Sequence, residues 1–230
     1  MVDYKELKLG DSFNYECRRC SDCCRDIGGI LMVEPSDGYK ICKHLNSVGQ
    51  EINLMELYSE YCEYVALDDS GLGVFVMDST NGECIFLEGC RCKIYDARPR
   101  ICRIYPLACE CGKKAGSLDI KLSIDNHVKH FDTDKVVSVR EYLSDSLDDD
   151  SKHVLLDMKN VVSNVYSQIV NCKEDRLRES MIMCSIHFLY MRYDLRRSFK
   201  HQYDSNVRKL IRILGKMRKG EIKDGEWLFM

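Results

Sequence analysis

Apolar residues recur at helical spacing in three successive segments of the last third of the chain. Each segment therefore predicts an amphipathic helix with one buried face. The three apolar faces are Val154, Met158, Val161, Val165 and Ile169; Leu177, Met181, Cys184, Phe188 and Met191; and Val207, Leu210, Leu214 and Met217. The acidic run 145–150 that precedes them is either a linker or the N-terminus of the first helix, where carboxylates suit the helix dipole.

Two shorter helical patterns lie upstream of this region. The segment Pro35-Ser36-Asp37-Gly38 is a turn or a helix start, and Gly49 would stop the short helix that follows it. A second helical pattern runs from Leu54 to Tyr64 or Val65, and the turn residues 68–71 would end it. The first half of the chain is therefore expected to contain two short helices.

A strand pattern follows these two helices. The run 72–77 is apolar and β-branched, and the segment 78–82 is a strong turn signal. Together with residues 84–87 they predict a β-hairpin. Gly71 and Gly73 form a lone GxG, which turn residues explain better than a nucleotide-binding loop does.

These patterns predict an α+β fold that is mainly helical. A small cysteine-rich, metal-centred domain with a short β-hairpin would occupy residues 1–143, and an α-helical C-terminal subdomain would occupy residues 144–230. The length of 230 residues allows one or two domains, and no internal repeat is visible.

Fourteen cysteines change the functional picture. The N-terminus has no apolar signal segment and no stretch approaches a membrane span, so we expect a cytoplasmic protein without a membrane partner. Thiols stay reduced in that compartment, which favours metal or redox chemistry over a disulfide scaffold. Ten cysteines lie within 17–24 or 84–111, whereas four are isolated and are interpreted as core residues: Cys42, Cys62, Cys172 and Cys184.

The first cluster reads Cys17-Arg18-Arg19-Cys20-Ser21-Asp22-Cys23-Cys24. Its C-x2-C-x2-C spacing also starts a bacterial ferredoxin loop, but that loop would continue with x3-C-P. Here Cys24 follows Cys23 directly, so the ferredoxin interpretation fails. The side chains of adjacent residues leave the backbone in different directions. Cys23 and Cys24 would therefore more easily bind two different metal centres, or one would bind a centre while the other contacts its ligands, than bind a single tetrahedral ion together.

Basic side chains alternate with cysteines in the second cluster. Four thiolates around Zn²⁺ or a [4Fe–4S] core carry a net charge of about −2, which nearby arginines could offset. For Arg100 and Lys93 a role in surface solubility is an equal alternative.

Three segments together resemble a known family. They are Phe13-x3-C-x2-C-x2-C-C, then C-x-F-L from Cys84, then C-x-I-Y-x-x-R-P-x-x-C-R-x-Y-P from Cys92. This pattern, over residues 13–106, is similar to the CxxCxxCC cysteine-cluster family, also called YkgJ-like, of zinc- or iron-chelating domains. Arg19 departs from it, because the family often has glycine or a small residue there.

The resemblance implies roles for individual residues. Metal ligation is carried over to Cys17, Cys20, Cys23, Cys24, Cys84, Cys92 and Cys102. The resemblance also implies supporting roles for Tyr95, Arg98 and Arg103. They would either stabilise the local structure or contact the ligand cysteines and the bound cofactor without ligating the metal. Cys90, Cys109 and Cys111 are additions to the family pattern, and any one of them would raise the ligand count from seven to eight; we expect Cys90.

The distribution of the cysteines favours iron–sulfur over zinc. Structural zinc sites usually have paired CxxC knuckles, whereas this chain has one dense run and single cysteines at long intervals. The expected cofactor is one or two iron–sulfur clusters, of the [4Fe-4S] type, with zinc as the alternative. His127 and His130 form an H-x2-H pair that we interpret as two exposed imidazoles rather than as ligands.

Three classes of function remain open. The first is an iron–sulfur oxidoreductase or a protein- or cofactor-modification enzyme with a redox or substrate protein as partner. The second is a zinc-stapled binding module that engages a protein or nucleic-acid partner through its basic helical C-terminal region. The third is nucleic-acid binding, because residues 176–219 hold twelve Lys or Arg against three acids, a net of +9, interleaved with Tyr190, Tyr193 and Tyr203. A solvated helix face explains that segment better. No sequence motif names a reaction.

Overall fold

The computed structural model describes residues 3–25, 27, 31–112, 117–124, 130–222 and 225–229. Helices dominate this part of the chain, and the strands are short and scattered, which confirms the α+β, mainly helical class. The helices are α1 (Pro35–Ser47), α2 (Leu54–Tyr61), α3 (Arg100–Ile104), α4 (Val139–Ser146), α5 (Asp149–Ile169), α6 (Asp175–Ile186) and α7 (Phe199–Arg218). A π-helical turn, His187–Met191, continues α6.

All strand pairs are antiparallel. The strands are β1 (Asp3–Leu7), β2 (Ser12–Asn14), β3 (Cys62–Ala66), β4 (Gly73–Met77), β5 (Ser79–Thr80), β6 (Glu83–Cys84), β7 (Leu87–Glu88), β8 (Arg91–Cys92), β9 (Leu107–Cys111), β10 (Leu118–Ile124) and β11 (Val136–Ser138). One three-stranded sheet has the order β1-β10-β9, and the two-stranded pairs are β2 with β11, β3 with β4, β5 with β6 and β7 with β8.

Helix α1 begins at Pro35, as the sequence predicts, and a reciprocal cap explains why. The Glu34 side chain accepts from the Asp37 N–H, and an Asp37 carboxylate oxygen accepts from the Glu34 N–H at 3.2 Å. Asn53 and Glu56 form the same arrangement at the start of α2. These caps satisfy backbone donors that a helix start leaves without partners.

The end of the second helix and the hairpin differ from prediction. Helix α2 stops at Tyr61, and β3, which includes Tyr64 and Val65, pairs with β4 instead of continuing the helix. The predicted strand at 72–77 exists, but its partner is β3 rather than residues 84–87. The turn at Asn81 and Gly82, both with positive φ, joins only the two-residue strands β5 and β6. Both strands are rich in aromatic and β-branched residues, which favour strands, and pairing with β4 stabilises residues 62–66 as a strand rather than a helix.

The three predicted C-terminal helices are all present as α5, α6 and α7. The acidic run is a helix start rather than a linker, because the Asp148 carboxylate accepts from the Ser151 N–H at 2.9 Å and caps α5. The predicted face of α5 is buried except for Met158, which is half-buried, and Val154 and Ile169 are fully shielded from solvent. Among the described residues, no helix is both long and apolar enough to cross a membrane.

The main hydrophobic core is shared by the two parts of the chain. It joins Ile41 and Leu57 of the first half to Val161, Phe188 and Leu210 of the second. A smaller core lies between the three-stranded sheet, α4 and the start of α5. The domain boundary near residue 143 stays a prediction, but side chains from both sides of it pack in one cluster.

The isolated cysteines lie in or against the main core. Cys42 and Cys184 are completely buried, as predicted for small core residues, and Cys62 and Cys172 are half-buried against the core. The tyrosines of the basic segment behave in the same way. Tyr190 and Tyr203 are buried core residues rather than rings available for stacking on bases.

Candidate metal centre

Seven cysteines line one cavity of about 680 Å³. They are Cys17, Cys23, Cys24, Cys84, Cys90, Cys92 and Cys102. Seven of the eight cysteines proposed as ligands from the sequence therefore line one cavity. The fold places residues as distant in the chain as Cys17 and Cys102 around it. The predicted Cys90 is among them, whereas Cys109 and Cys111 are not.

Short elements deliver these thiols from several directions. A single 3₁₀ turn carries Cys23 and Cys24, β6 ends at Cys84, β8 ends at Cys92, and α3 carries Cys102. Two-residue turns join β5 to β6 and β7 to β8, and these turns place Cys84 and Cys92 at the ends of two short hairpins. The cavity is therefore built from loops pinned by brief hydrogen-bonded segments.

The thiols interact strongly with one another. A hydrogen bond between Cys23 and Cys24 lowers the pKa of Cys23 to about 7, with Arg98 contributing, and raises the pKa of Cys24. Burial, then the neighbouring Cys23 and Cys84, raises the pKa of Cys102 well above its ordinary value. Ionising every thiol in this cavity is unfavourable without a cation, and a coordinated metal supplies the missing positive charge.

Tyr95 organises two guanidinium groups at the cavity wall. The Arg98 guanidinium lies 3.7 Å from the centre of the Tyr95 ring, and its Nε donates to the Tyr95 carbonyl at 2.7 Å. The Arg19 guanidinium lies 4.7 Å from the centre of the same ring. All three residues line the cavity, so positive charge stands next to the thiols where an anionic metal–thiolate group would need it.

Arg103, the other predicted partner of the ligands, points elsewhere. Its Nε donates to the Arg98 carbonyl at 3.0 Å, and its guanidinium forms ion pairs with Asp148 and, at 3.7 Å, with Asp37. Lys40 reaches the same Asp148 carboxylate at 2.5 Å. Arg103 thus ties α3, which carries Cys102, to α1 and to the start of α5.

Arg100 is largely shielded from solvent, so the surface role considered for it is wrong. Its guanidinium makes two hydrogen bonds of 2.7 Å to the Glu34 carboxylate, and the two side chains are only 12% and 7% exposed. Lys93 is 53% exposed and lies 3.5 Å from Glu88, which fits its surface alternative. The only sequence signal for the Glu34–Arg100 pair is weak. An acidic residue precedes Pro35 and a basic residue follows Pro99, at positions far apart in the chain.

Cys20 is the predicted ligand that does not line the cavity. Its Sγ lies 3.0 Å from Nε2 of His130, and with a carboxylate oxygen of Asp22 the three ligand atoms lie within 4.8 Å of one another. His130 is only 6% exposed, so its interpretation as an exposed imidazole is wrong. Its predicted companion His127 lies outside the described residues.

The two remaining clustered cysteines lie on β9. Cys109 is buried in the smaller core, and the Cys111 thiol donates to the Leu156 carbonyl at 3.9 Å. Cys109 therefore packs in the smaller core, and Cys111 contacts α5 rather than the thiols of the cavity. Neither thiol lines the seven-cysteine cavity.

Comparisons with known proteins agree with this geometry. A family model described as "CxxCxxCC: Putative zinc- or iron-chelating domain" matches residues 16–133, which is just over half of the chain. No curated protein and no solved structure matches the chain. The matched segment contains every cysteine of the cavity as well as Cys20 and His130. The chain therefore belongs to the CxxCxxCC family, and its cysteine cluster is metal-binding.

Proposed function

We propose that the seven-cysteine cavity binds an iron–sulfur cluster of the [4Fe-4S] type and that the protein serves redox or protein- or cofactor-modification chemistry. The single observation that carries this proposal is the spread of the thiols. Within the described residues, three ligand atoms come within 4.8 Å of one another only at Cys20, Asp22 and His130. No three thiols of the cavity are that close.

That spread suits a polynuclear group better than one ion. Two thiolates on a single tetrahedral zinc are about 3.8 Å apart, given Zn–S bonds of about 2.3 Å. In a [4Fe-4S] cluster each thiolate binds a different iron, so the cysteine sulfurs stand farther apart. A cavity of about 680 Å³ with seven thiols also has more room and more ligands than one zinc requires.

The four less exposed thiols are the best candidates for the ligands. Cys84 is buried, and Cys24, Cys92 and Cys102 are half-buried. They also interact with one another. After the hydrogen bond with Cys23 and burial, Cys102 and Cys92 further raise the pKa of Cys24. After burial and Cys23, Cys84 and Cys92 further raise the pKa of Cys102. The exposed thiols, Cys17, Cys23 and Cys90, remain for a second centre or for contact with a substrate.

The surroundings support an anionic cluster that a partner can reach. Arg19, Arg91 and Arg98 line the cavity against one carboxylate, Asp96. Their positive charge would stabilise the reduced, more negative state and so raise the reduction potential. The exposed rim gives a redox or substrate protein access to the cluster edge, which zinc used only as a structural staple would not need.

Anaerobic purification with adequate iron supply tests this proposal. We expect near-stoichiometric iron and acid-labile sulfide, with broad absorbance near 400 nm that fades on reduction with dithionite. Stoichiometric zinc without sulfide would contradict the proposal and favour the zinc-stapled binding module. Iron without sulfide would equally exclude a cluster.

A further inference from the structure

A second group of possible ligands converges beside the cavity. It contains one thiol, one imidazole and one carboxylate, from Cys20, His130 and Asp22. We propose that these residues bind a mononuclear ion of the zinc class, separate from the group held in the seven-cysteine cavity. The proposal goes beyond the proposed function and does not depend on what fills the cavity.

The distances fit a metal that replaces a proton. Cys20 Sγ and His130 Nε2 are 3.0 Å apart, as for a hydrogen bond between thiol and imidazole. In a tetrahedral zinc site with ordinary bond lengths the sulfur and nitrogen ligands are about 3.6 Å apart. A shift of about half an ångström would therefore convert the hydrogen-bonded pair into two metal ligands, and Asp22 is already within reach.

The protein already holds the imidazole in the form that a metal needs. Nδ1 of His130 lies 2.9 Å from the carbonyl oxygen of Glu16, which can only accept, so Nδ1 carries the proton and Nε2 presents its lone pair. The Arg18 N–H also faces Nδ1, at the longer distance of 3.4 Å. A carbonyl behind Nδ1 is the usual support for a metal-bound histidine.

Packing fixes the position of this ring. His130 stacks on Tyr15, with ring centres 5.7 Å apart and planes inclined by 18°. The Glu16 N–H in turn donates to the His130 carbonyl at 3.0 Å. Because the ring is buried and held on both sides, its Nε2 has one direction in which to bind, toward Cys20.

The backbone turns Cys20 away from its neighbours in the motif. Arg19 and Ser21 have φ angles of 52° and 69°, in the left-handed region that is unfavourable for residues with a side chain. Cys17 and Cys23 line the cavity, but Cys20 between these two turns does not. Strain of this kind persists where the surrounding structure requires one particular geometry.

The ligand chemistry selects the metal. One thiolate, one imidazole and one carboxylate suit zinc, whereas an iron–sulfur cluster would prefer several thiolates. Asp22 is exposed, so the site has an entry path and a fourth position open to solvent. Three protein ligands with one open position are typical of zinc sites that bind a water or a substrate atom.

Zinc titration of the full-length, anaerobically purified protein tests the site. Bound zinc, iron and sulfide are measured per chain for the wild type, for His130→Asn and for the control His201→Asn at an exposed histidine. Asparagine can still donate to the Glu16 carbonyl but has no equivalent of Nε2. We expect His130→Asn to bind one zinc fewer than the wild type and the control, with iron and sulfide unchanged in all three.

Two results would overturn the proposal. One is equal zinc in His130→Asn and wild type; the other is loss of iron and sulfide together with zinc, because His130 would then serve the cavity. If circular dichroism shows that His130→Asn does not fold, Asp22→Asn decides, with at least tenfold weaker zinc binding expected and unchanged affinity contradicting the site. Absence of iron and sulfide from all proteins would refute the proposed function, while the zinc difference would still test this site.

Discussion

At the scale of single residues, neighbouring cysteines of one motif have different surroundings. Cys23 and Cys24 face the cavity thiols, whereas Cys20, three positions earlier, contacts an imidazole 110 residues away. Two residues with positive φ make that divergence possible. Spacing in the motif therefore does not imply a shared centre.

Replacing Cys102 should remove the metal from the cavity. Cys102→Ser deletes a ligand from α3 and, because metal binding contributes folding free energy, should lower stability as well as iron and sulfide content. Cys184→Ser is the matched control: Cys184 is fully buried in the main core, away from the cavity, and should cost about 1–3 kcal/mol while retaining iron and sulfide. Full iron and sulfide in Cys102→Ser would exclude Cys102 as a ligand.

The buried ion pair predicts a second result at this scale. Glu34→Gln can still cap α1 but leaves the buried Arg100 guanidinium without its carboxylate partner, so we expect a loss of about 3 kcal/mol. Glu88→Gln, which removes the exposed partner of Lys93, should change stability by less than about 0.5 kcal/mol. Urea unfolding at pH 7 measures both, and equal effects would mean that Arg100 is solvated.

At the scale of elements, close packing of α1 on α2 holds the first half of the chain together. Gly38 faces the Tyr58 side chain, and a Cβ at position 38 would overlap the hydroxyl of that tyrosine. Tyr58 is 1% exposed and has no free direction in which to move. The same helix carries Asp37 and Lys40, which bind α3 and the start of α5.

The same substitution should have opposite effects on two helices. Gly38→Ala should destabilise the protein by about 2 kcal/mol, because α1 and α2 must separate to admit the methyl group. In α7, the nearest atom to a Cβ at Gly215 is 3.8 Å away, so Gly215→Ala should stabilise the protein by up to about 1 kcal/mol through helix propensity. Thermal unfolding of both variants tests this, and a stabilising Gly38→Ala would contradict the packing.

At the scale of the whole molecule, apolar and polar contacts both connect the cysteine-rich half to the C-terminal helices. The main core contains residues from both halves, and Tyr39 of α1 donates a hydrogen bond to the Arg197 carbonyl at 2.5 Å. Arg103 and Lys40 share the Asp148 carboxylate at the start of α5. The metal cavity therefore rests on a scaffold that needs both halves.

This shared scaffold predicts cooperative unfolding. Urea transitions followed by circular dichroism, which reports the helices, and by visible absorbance, which reports the metal centre, should coincide within error. A fragment of residues 1–143 should fail to give a cooperative transition, because it lacks the apolar faces of α5, α6 and α7. Two separated transitions would show that the halves are independent domains.

The sequence by itself determined the mainly helical class, the three C-terminal helices and the residues of the cysteine cluster. Helical periodicity and cap residues act within a few positions, and a cysteine is recognisable as a possible metal ligand from its residue type alone. Local sequence information was therefore enough to predict these features. The partner of Cys20, the burial of Arg100 on Glu34 and the pairing of β3 with β4 were decided only by the tertiary structure. Cys20 and its partner are 110 positions apart along the chain, and Glu34 and Arg100 are 66 positions apart. The strand β4 could have paired with β3 or with residues 84–87, and only the folded structure shows which. Contacts between segments that are distant in the chain contribute free energy that no local sequence pattern can predict.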